Sequence, residues 1–167
     1  MNVNYLGGHK VKNWDVEKVV AGCAAGTPQP DYNRDTYLEL RANKGRITTG
    51  YLAGAPTLIL TSVGARTLRP RVRIIGYAPY GDKYLLVGSY AGGPKDPSWV
   101  NNLVVHPYAV IEVEEQVLAV KATLTHGDTR DEMFAIACKA IPTWAEYQQK
   151  SVRTLPVFVL DVVNQEL

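Results

Sequence analysis

Arginine recurs at positions 66, 69, 71 and 73 within the segment GARTLRPRVR, between two apolar runs. Planar guanidinium groups spaced this closely take phosphate or carboxylate in bidentate fashion, and one polyanionic ligand would satisfy several at once. Without a ligand, the same run reads as a solvated basic hairpin. A second segment, GSYAGGPKDPSWVNNL, starts at Gly88 and carries small residues into prolines and a tryptophan. Asp96 followed by Pro97 reads as a helix start, Asp as cap and Pro at the first helical position, with the helix running through Trp99, Asn102 and Leu103 to a stop at Pro107. A glycine-rich loop feeding a helix N-terminus offers N–H donors and a positive dipole end to a phosphate or a polarised carbonyl. A tight strand-to-helix turn would use the same glycines, and the residues alone leave both readings open.

Ile141, Trp144 and Tyr147 share one face of a helical run, where they either fill the core or wall a flat apolar ligand. His9, His106 and His126 are isolated in sequence, so neither a zinc site nor a catalytic triad is expected. Cys23 and Cys138 lie in apolar helix-like surroundings without CxxC spacing, which predicts buried thiols in a reducing compartment. The net charge of +2 does not call for a nucleic-acid partner, although a local basic patch can still hold a smaller anion. No apolar run reaches the ~20 residues of a membrane span. Residues 1–10 lack the basic-then-apolar order of a signal peptide, so a cytoplasmic protein is expected.

These residues need a scaffold, and 167 residues at 46% hydrophobic and 20% charged suffice for one domain with a core of ordinary size. We divide the chain into an N-terminal arm and helix over 1–30 and a single domain over 31–167. Residues 1–14 read as a loose arm. DVEKVVAGCAAG predicts a helix after an Asp15 cap, and NRDTYLELRANKG predicts another, capped by Asn33 or Asp35 and closed by Gly45. From Thr57 the period changes. TLILTSV, VRIIGYA, KYLLVGS, AVIEVEE, VLAVKATL and the final LPVFVLDVV are short β-rich runs separated by turn signals, which predicts an antiparallel sheet curling into a small barrel. DTRDEMFAIACKAI places Met133, Ile136, Ala137 and Ala140 on one helical face, and PTWAEYQQK makes a short second helix.

Taken in order, the segments resemble the deazaflavin-dependent nitroreductase and F420H2-dependent quinone reductase family of split β-barrels, over roughly 39–163. ELRANKGRITTGYLAGAPTLILTSVGARTLRPR is similar to a FRANGG run followed by an apolar strand and a GRxSGxPR-like turn. GSYAGGPKDPSWVNNLVVHP is similar to an AS-x-GGAP-x-x-P-x-W-Y-x-N-L-x-x-NP pattern. PTWAEYQQKSVRTLPVFVLDV is similar to a P-x-Y-x-x-Y-Q ending and final strand.

The resemblance implies an α+β split barrel of the FMN-binding type, coenzyme F420 as cofactor in preference to FMN, and hydride transfer to an electron-poor small molecule such as a quinone, nitroaromatic or enone. Carried over by position, it implies cofactor contacts at Arg66, Thr67, Arg71, Ser89, Tyr90, Ala91, Gly92, Gly93, Trp99 and Asn102. Arg69 and Lys95 are expected to add charge toward the anionic tail. Gly76, Ile141, Trp144 and Tyr147 fall at the substrate pocket, and Tyr147, Tyr90 or Ser89, Tyr147 first, is the expected hydrogen-bond or proton donor to the reduced substrate. Ala65 stands where the family usually has arginine and Leu68 where it has glycine. Two alternatives remain beside the reductase: a non-redox isomerase or cyclase using the same pocket, and a module that only binds a deazaflavin or flavin. A homodimer is compatible with the sequence.

Overall fold

A computed structural model of the chain describes residues 2–3, 10–11, 14–15, 31–48, 50 and 52–163. The early strands are short: β1 (Asn2–Val3), β2 (Lys10–Val11) and β3 (Trp14–Asp15). Helix α1 (Asp31–Ala42) follows, then β4 (Thr57–Val63), β5 (Pro70–Gly76), β6 (Ala78–Tyr80) and β7 (Lys83–Val87). After the glycine-rich loop come α2 (Ser98–Val105), β8 (Tyr108–Val113), β9 (Gln116–Leu124), α3 (Gly127–Ala140), α4 (Thr143–Lys150) and β10 (Val157–Val162). Six of the seven strands from β4 onward match the six β-rich runs read from the sequence, because β-branched and aromatic side chains suit a pleated surface buried on one or both faces, whereas β6 is not one of the expected strands.

The main sheet has the order β5-β4-β8-β9-β10-β7-β6, and all of these neighbours pair antiparallel. Along β4-β8-β9-β10-β7 there are four reversals, so β4 and β7 run in the same direction. The connection leaving β4 carries the arginines and the one leaving β7 carries the glycines. Both therefore emerge at the same end of the sheet.

Edge strand β5 also touches β7, which curls the sheet into a half-barrel. Its concave face buries Leu58, Leu60, Leu86, Ile111, Leu118 and Phe158, and α2 adds Trp99, Val100 and Leu103 to this core. Burial of each such side chain stabilises by about 1.5–3 kcal/mol. On the convex side, α1 sets Tyr37 and Leu40 against Ile59 and Val72. Helices α3 and α4 set Met133, Ala137 and Trp144 against Leu85, Val87 and Val157. A buried ion pair secures α1: the Arg41 Nε and Nη2 donate to the two Glu112 carboxylate oxygens, each at 3.2 Å.

Four local expectations need correction. The arm is not wholly loose: β1 pairs in parallel with β9 at Gln116 and Val117, a stretch that β10 leaves open because its own pairing with β9 begins at Val120. Helix α1 begins at Asp31, so Asn33 and Asp35 lie inside it rather than at its cap. Pro30 precedes it in sequence, and a proline ahead of the first turn forfeits no helical hydrogen bond. Helix α2 has Pro97 as its flanking residue with no side-chain cap, because the Asp96 carboxylate is drawn to Arg153 instead. An ionised pair is the stronger competitor for that carboxylate. Asp15, the expected cap of the first helix, lies in β3 opposite Lys10, and the rest of that helix, with Cys23, and His9 lie outside the described residues.

Candidate functional site

The arginine turn closes through Gly64, whose N–H donates to the Arg69 carbonyl at 2.8 Å and whose carbonyl accepts from Leu68 N–H at 2.9 Å. Leu68 takes a left-handed φ of 58° there, at the position where the related pattern has glycine. Arg66, Thr67, Arg69 and Arg71 are exposed. Thr67 Oγ1 accepts from Arg69 N–H at 3.3 Å and from Arg71 Nη2 at 3.4 Å, so the hydroxyl steadies the turn and one guanidinium together. Arg71 and Arg73 lie opposite Ser62 and Leu60 in the β4–β5 register. Leu60 points into the barrel core, which puts both arginines on the concave side. Arg73 Nη1 donates to the Val72 carbonyl at 2.8 Å. Among the described residues no carboxylate pairs with Arg66, Arg69, Arg71 or Arg73.

Asn102 joins this turn to α2. Its Oδ1 accepts the Ala65 N–H at 2.9 Å in a part-buried setting, and its Nδ2 donates to the buried Ser62 Oγ at 3.3 Å. Both polar ends of the amide are thus occupied by the protein.

The loop after β7 is contorted. Ser89 is right-handed, while Tyr90, Ala91 and Gly92 follow with φ of 42°, 53° and 78°. A left-handed conformation costs about 1–2 kcal/mol at a residue bearing a Cβ, so this turn carries strain at Tyr90 and Ala91. A right-handed residue followed by a left-handed one also turns consecutive N–H groups toward a common concavity, a geometry that suits an anionic or carbonyl oxygen. Arg153 lies against the loop: Nε donates to the Gly93 carbonyl at 3.0 Å, Nη1 to Gly88 at 3.0 Å and Nη2 to Ser89 at 2.9 Å, and Nη1 also pairs with Asp96.

Helix α4 spans from this loop to the expected substrate wall. A Cβ at Gly92 would sit 3.1 Å from the Tyr147 carbonyl oxygen, so only glycine lets loop and helix meet this closely. Toward the other end of the helix, a Cβ at Gly76 would lie 2.8 Å from Ile141 Cδ1 and 3.6 Å from Trp144 Cζ2. Gly76, Ile141 and Trp144 are therefore brought together, with Trp144 buried and Ile141 and Tyr147 half-buried. The Tyr147 hydroxyl has no hydrogen-bond partner among the described residues. Tyr90 is 64% exposed, and Lys95, five residues on, is exposed as well.

Other residues fall elsewhere. Trp99 is in the core with its ring 5.9 Å from that of Phe158, and it anchors α2 from within. A cavity of about 220 Å³ lies beside α1 and the β8–β9 turn, lined by Leu40, Arg41, Ile59 and Glu112 among others, and none of the expected site residues lines it. No cluster of metal-ligating side chains occurs among the described residues. Cys138 is half-buried, and burial raises its thiol above the ordinary range while Arg130 pulls it partly back.

The profile of the F420H(2)-dependent quinone reductase family matches residues 32–162. The chain belongs to that family. It is similar to the F420H(2)-dependent quinone reductase Rv1261c of Mycobacterium tuberculosis, with 32% identity over 123 residues covering 72% of this chain and 83% of the relative. The same figures hold for a putative F420H(2)-dependent quinone reductase, Mb1292c, of Mycobacterium bovis. Among solved structures, an F420-H2 dependent reductase, FDR-A, aligns with TM-score 0.59 and 32% identity over 64% of this chain and 94% of that one. A chain described as a domain-swapped dimer aligns with TM-score 0.61 and 28% identity over 78% of this chain and 95% of that one. The expected split-barrel fold is thereby borne out, as is an F420-dependent reductase, and the cofactor-free isomerase and the pure binding module are not favoured.

For an F420H(2)-dependent quinone reductase the donor set is apt. The cofactor carries an anionic phosphate and oligoglutamate tail, and the arginine turn offers guanidinium groups that no carboxylate pairs among the described residues. The sequence reading missed Arg153. The signal was available: an arginine in SVRTLP, the short link between the last helix and a strand that enters at the loop end of the sheet.

Proposed function

We propose that this F420H(2)-dependent reductase acts on a quinone, holding the cofactor's anionic tail with Arg66, Arg69, Arg71 and Lys95 and its ring system beside Ser89–Gly93. When bound, the reduced deazaflavin supplies a hydride, and a quinone taking it up with one proton leaves as the hydroquinone. In this reading the chain's own work is orientation, exclusion of water and charge stabilisation. Thr67 steadies Arg71 toward the tail. Trp99 and Asn102 act from within α2, one by anchoring the helix in the core and the other by fixing the arginine turn to it. Gly76, Ile141 and Trp144 form an apolar wall for the acceptor ring, and the Tyr147 hydroxyl donates a hydrogen bond to the acceptor oxygen as negative charge grows there. Ser89 is the second candidate donor, closer to the glycine turn.

The observation that carries the reading is the placement of two features at one end of the barrel: arginines that no carboxylate pairs among the described residues, on a turn that Asn102 ties to α2, and the strained glycine-rich loop that leads into that helix. The test is a fluorescence titration with oxidised F420, followed by turnover of reduced F420 with menadione. Saturable binding at micromolar concentration and oxidation of F420 that depends on the quinone are expected. Absence of binding at tens of micromolar would defeat the cofactor site. Binding with nitroaromatic turnover and no quinone turnover would defeat the acceptor assignment.

A further inference from the structure

We propose that Arg153 is the positioning residue that fixes the glycine-rich loop in its cofactor-receiving shape, acting from behind the loop and not on the cofactor itself. The idea rests on the loop's role given above. Tyr90, Ala91 and Gly92 are consecutive left-handed residues, and such a turn persists only where its surroundings over-determine it. Its own hydrogen bonds, Gly92 N–H to Ser89 O and Gly93 N–H to Tyr90 O, close the turn but do not orient it against the sheet.

Arg153 supplies that orientation. Its fork reaches carbonyls on both sides of the turn, Gly88 and Ser89 before it and Gly93 after it, and pairs with Asp96 beyond. Guanidinium donors diverge in one plane and can serve separate acceptors, whereas a lysine has a single nitrogen to offer. Every peptide here is trans, so a Ser89 carbonyl aimed at Arg153 sends the Tyr90 N–H to the opposite side. The arginine thus sets the direction in which the loop presents a donor.

Arg153 is itself held in place. Its backbone carbonyl accepts from Gln148 Nε2 at 2.9 Å. Gln148 Oε1 accepts from Leu155 N–H and from Arg130 Nη2, both at 2.9 Å, and buried Arg130 also donates to the Leu155 carbonyl at 2.8 Å from Nη2 and 3.1 Å from Nε. Unlike the arginines of the β4–β5 turn, Arg153 has its charge matched by a carboxylate. Its donors are directed at the loop and not at an incoming anion.

The test compares wild type, Arg153→Lys, Arg153→Ala and Asp96→Asn by hydrogen–deuterium exchange without cofactor and by titration with oxidised F420. Arg153→Lys keeps the charge and loses the fork. It should speed exchange across 88–97 on the order of tenfold, with exchange in the barrel strands unchanged, and weaken F420 binding by a similar factor. Millimolar guanidinium should restore binding to Arg153→Ala and not to Arg153→Lys. Asp96→Asn, at a half-exposed partner, should give a smaller change in the same direction, which keeps the test decisive should the Arg153 variants not fold. Wild-type affinity in Arg153→Lys would show that the fork is dispensable, lost affinity with unchanged loop exchange would make Arg153 a direct ligand, and either result would overturn the proposal. If wild type itself does not bind F420, the cofactor assignment fails while the exchange comparison still decides the role of Arg153.

Discussion

The Oδ1 of Asn102 accepts the backbone N–H of Ala65 at 2.9 Å, so one side chain sets the spacing between α2 and the arginine turn. Removing it leaves a part-buried donor without its acceptor. Asn102→Ala is expected to destabilise the fold by about 1–3 kcal/mol, the usual cost of an unsatisfied buried group. It should weaken F420 binding as well, whereas Asn102→Asp, which keeps the acceptor, should retain more of both. Thermal melts paired with fluorescence titration check this, and an Asn102→Ala protein with wild-type stability and affinity would rule it out.

The arginine turn should make cofactor binding salt-sensitive. Exposed guanidinium groups acting on an anionic tail are screened over a Debye length of about 8 Å at physiological ionic strength. Arg66→Gln and Arg71→Gln should each raise the F420 Kd by about tenfold at low salt and flatten its dependence on added salt. The check is a titration series in sodium chloride, and a slope that stays as steep in the double variant would place the tail elsewhere.

Leu68 holds a φ of 58° that a leucine side chain resists. Leu68→Gly relieves about 1–2 kcal/mol of that strain and adds back part of it as chain entropy in the unfolded state, for a net gain of about 0.5–1 kcal/mol. The melting temperature should rise by a few degrees. A lower melting temperature would mean that the leucine side chain contributes more by contact than its backbone costs.

The Arg41–Glu112 pair offers a separable test of stability. Glu112→Ala removes the bidentate acceptor of a guanidinium that is 14% exposed, and about 1.5–3 kcal/mol of stability should be lost, the usual worth of hydrogen bonds to a charged group. The pair lies on the convex side under α1, away from the arginine turn and the glycine loop, so F420 affinity of the folded fraction should be unchanged. Denaturant melts and titration below the transition would show whether the two effects separate.

Tyr77 and Tyr84 make an edge-to-face pair with ring centroids 5.5 Å apart. Burial raises both phenols first, and the Glu114 carboxylate raises them further. Protonated in the fold at a pH where the unfolded chain would ionise, they contribute stability that is fully present below about pH 10 and lost as pH rises through their raised values. Tyr77→Phe with Tyr84→Phe should flatten the alkaline decline in melting temperature. Phenolate absorbance titrated on the folded protein should show two late tyrosines that the double variant lacks.

Much of the barrel was legible because its signals are local. The β-rich runs at Thr57–Val63 and Gln116–Leu124, the two-residue turns at Gly81–Asp82 and Glu114–Glu115, and the buried face of Met133 and Ala137 each follow from period and turn chemistry. The missed features join distant positions. Asp96 looked like a helix cap from its neighbours, yet its partner Arg153 is 57 residues away. Arg41 and Glu112 are 71 residues apart, and nothing in either segment announces the other. The arginines are adjacent in sequence, but the emergence of their turn at the same end of the sheet as the glycine loop depends on strand direction across the whole sheet.

Helix α4 abuts Gly92 near one end and Gly76 near the other, and a single helix of eight residues bends little over that span. With the acceptor seated at Ile141 as proposed, tilting the helix to admit a bulkier one would also shift the main chain of Tyr147 under the loop. Occupancy of either neighbourhood is then felt by its counterpart, and thermodynamic reciprocity requires that each occupant alter the other's affinity by the same factor. Redesigning the chain for a new acceptor would accordingly retune how tightly it keeps its reductant.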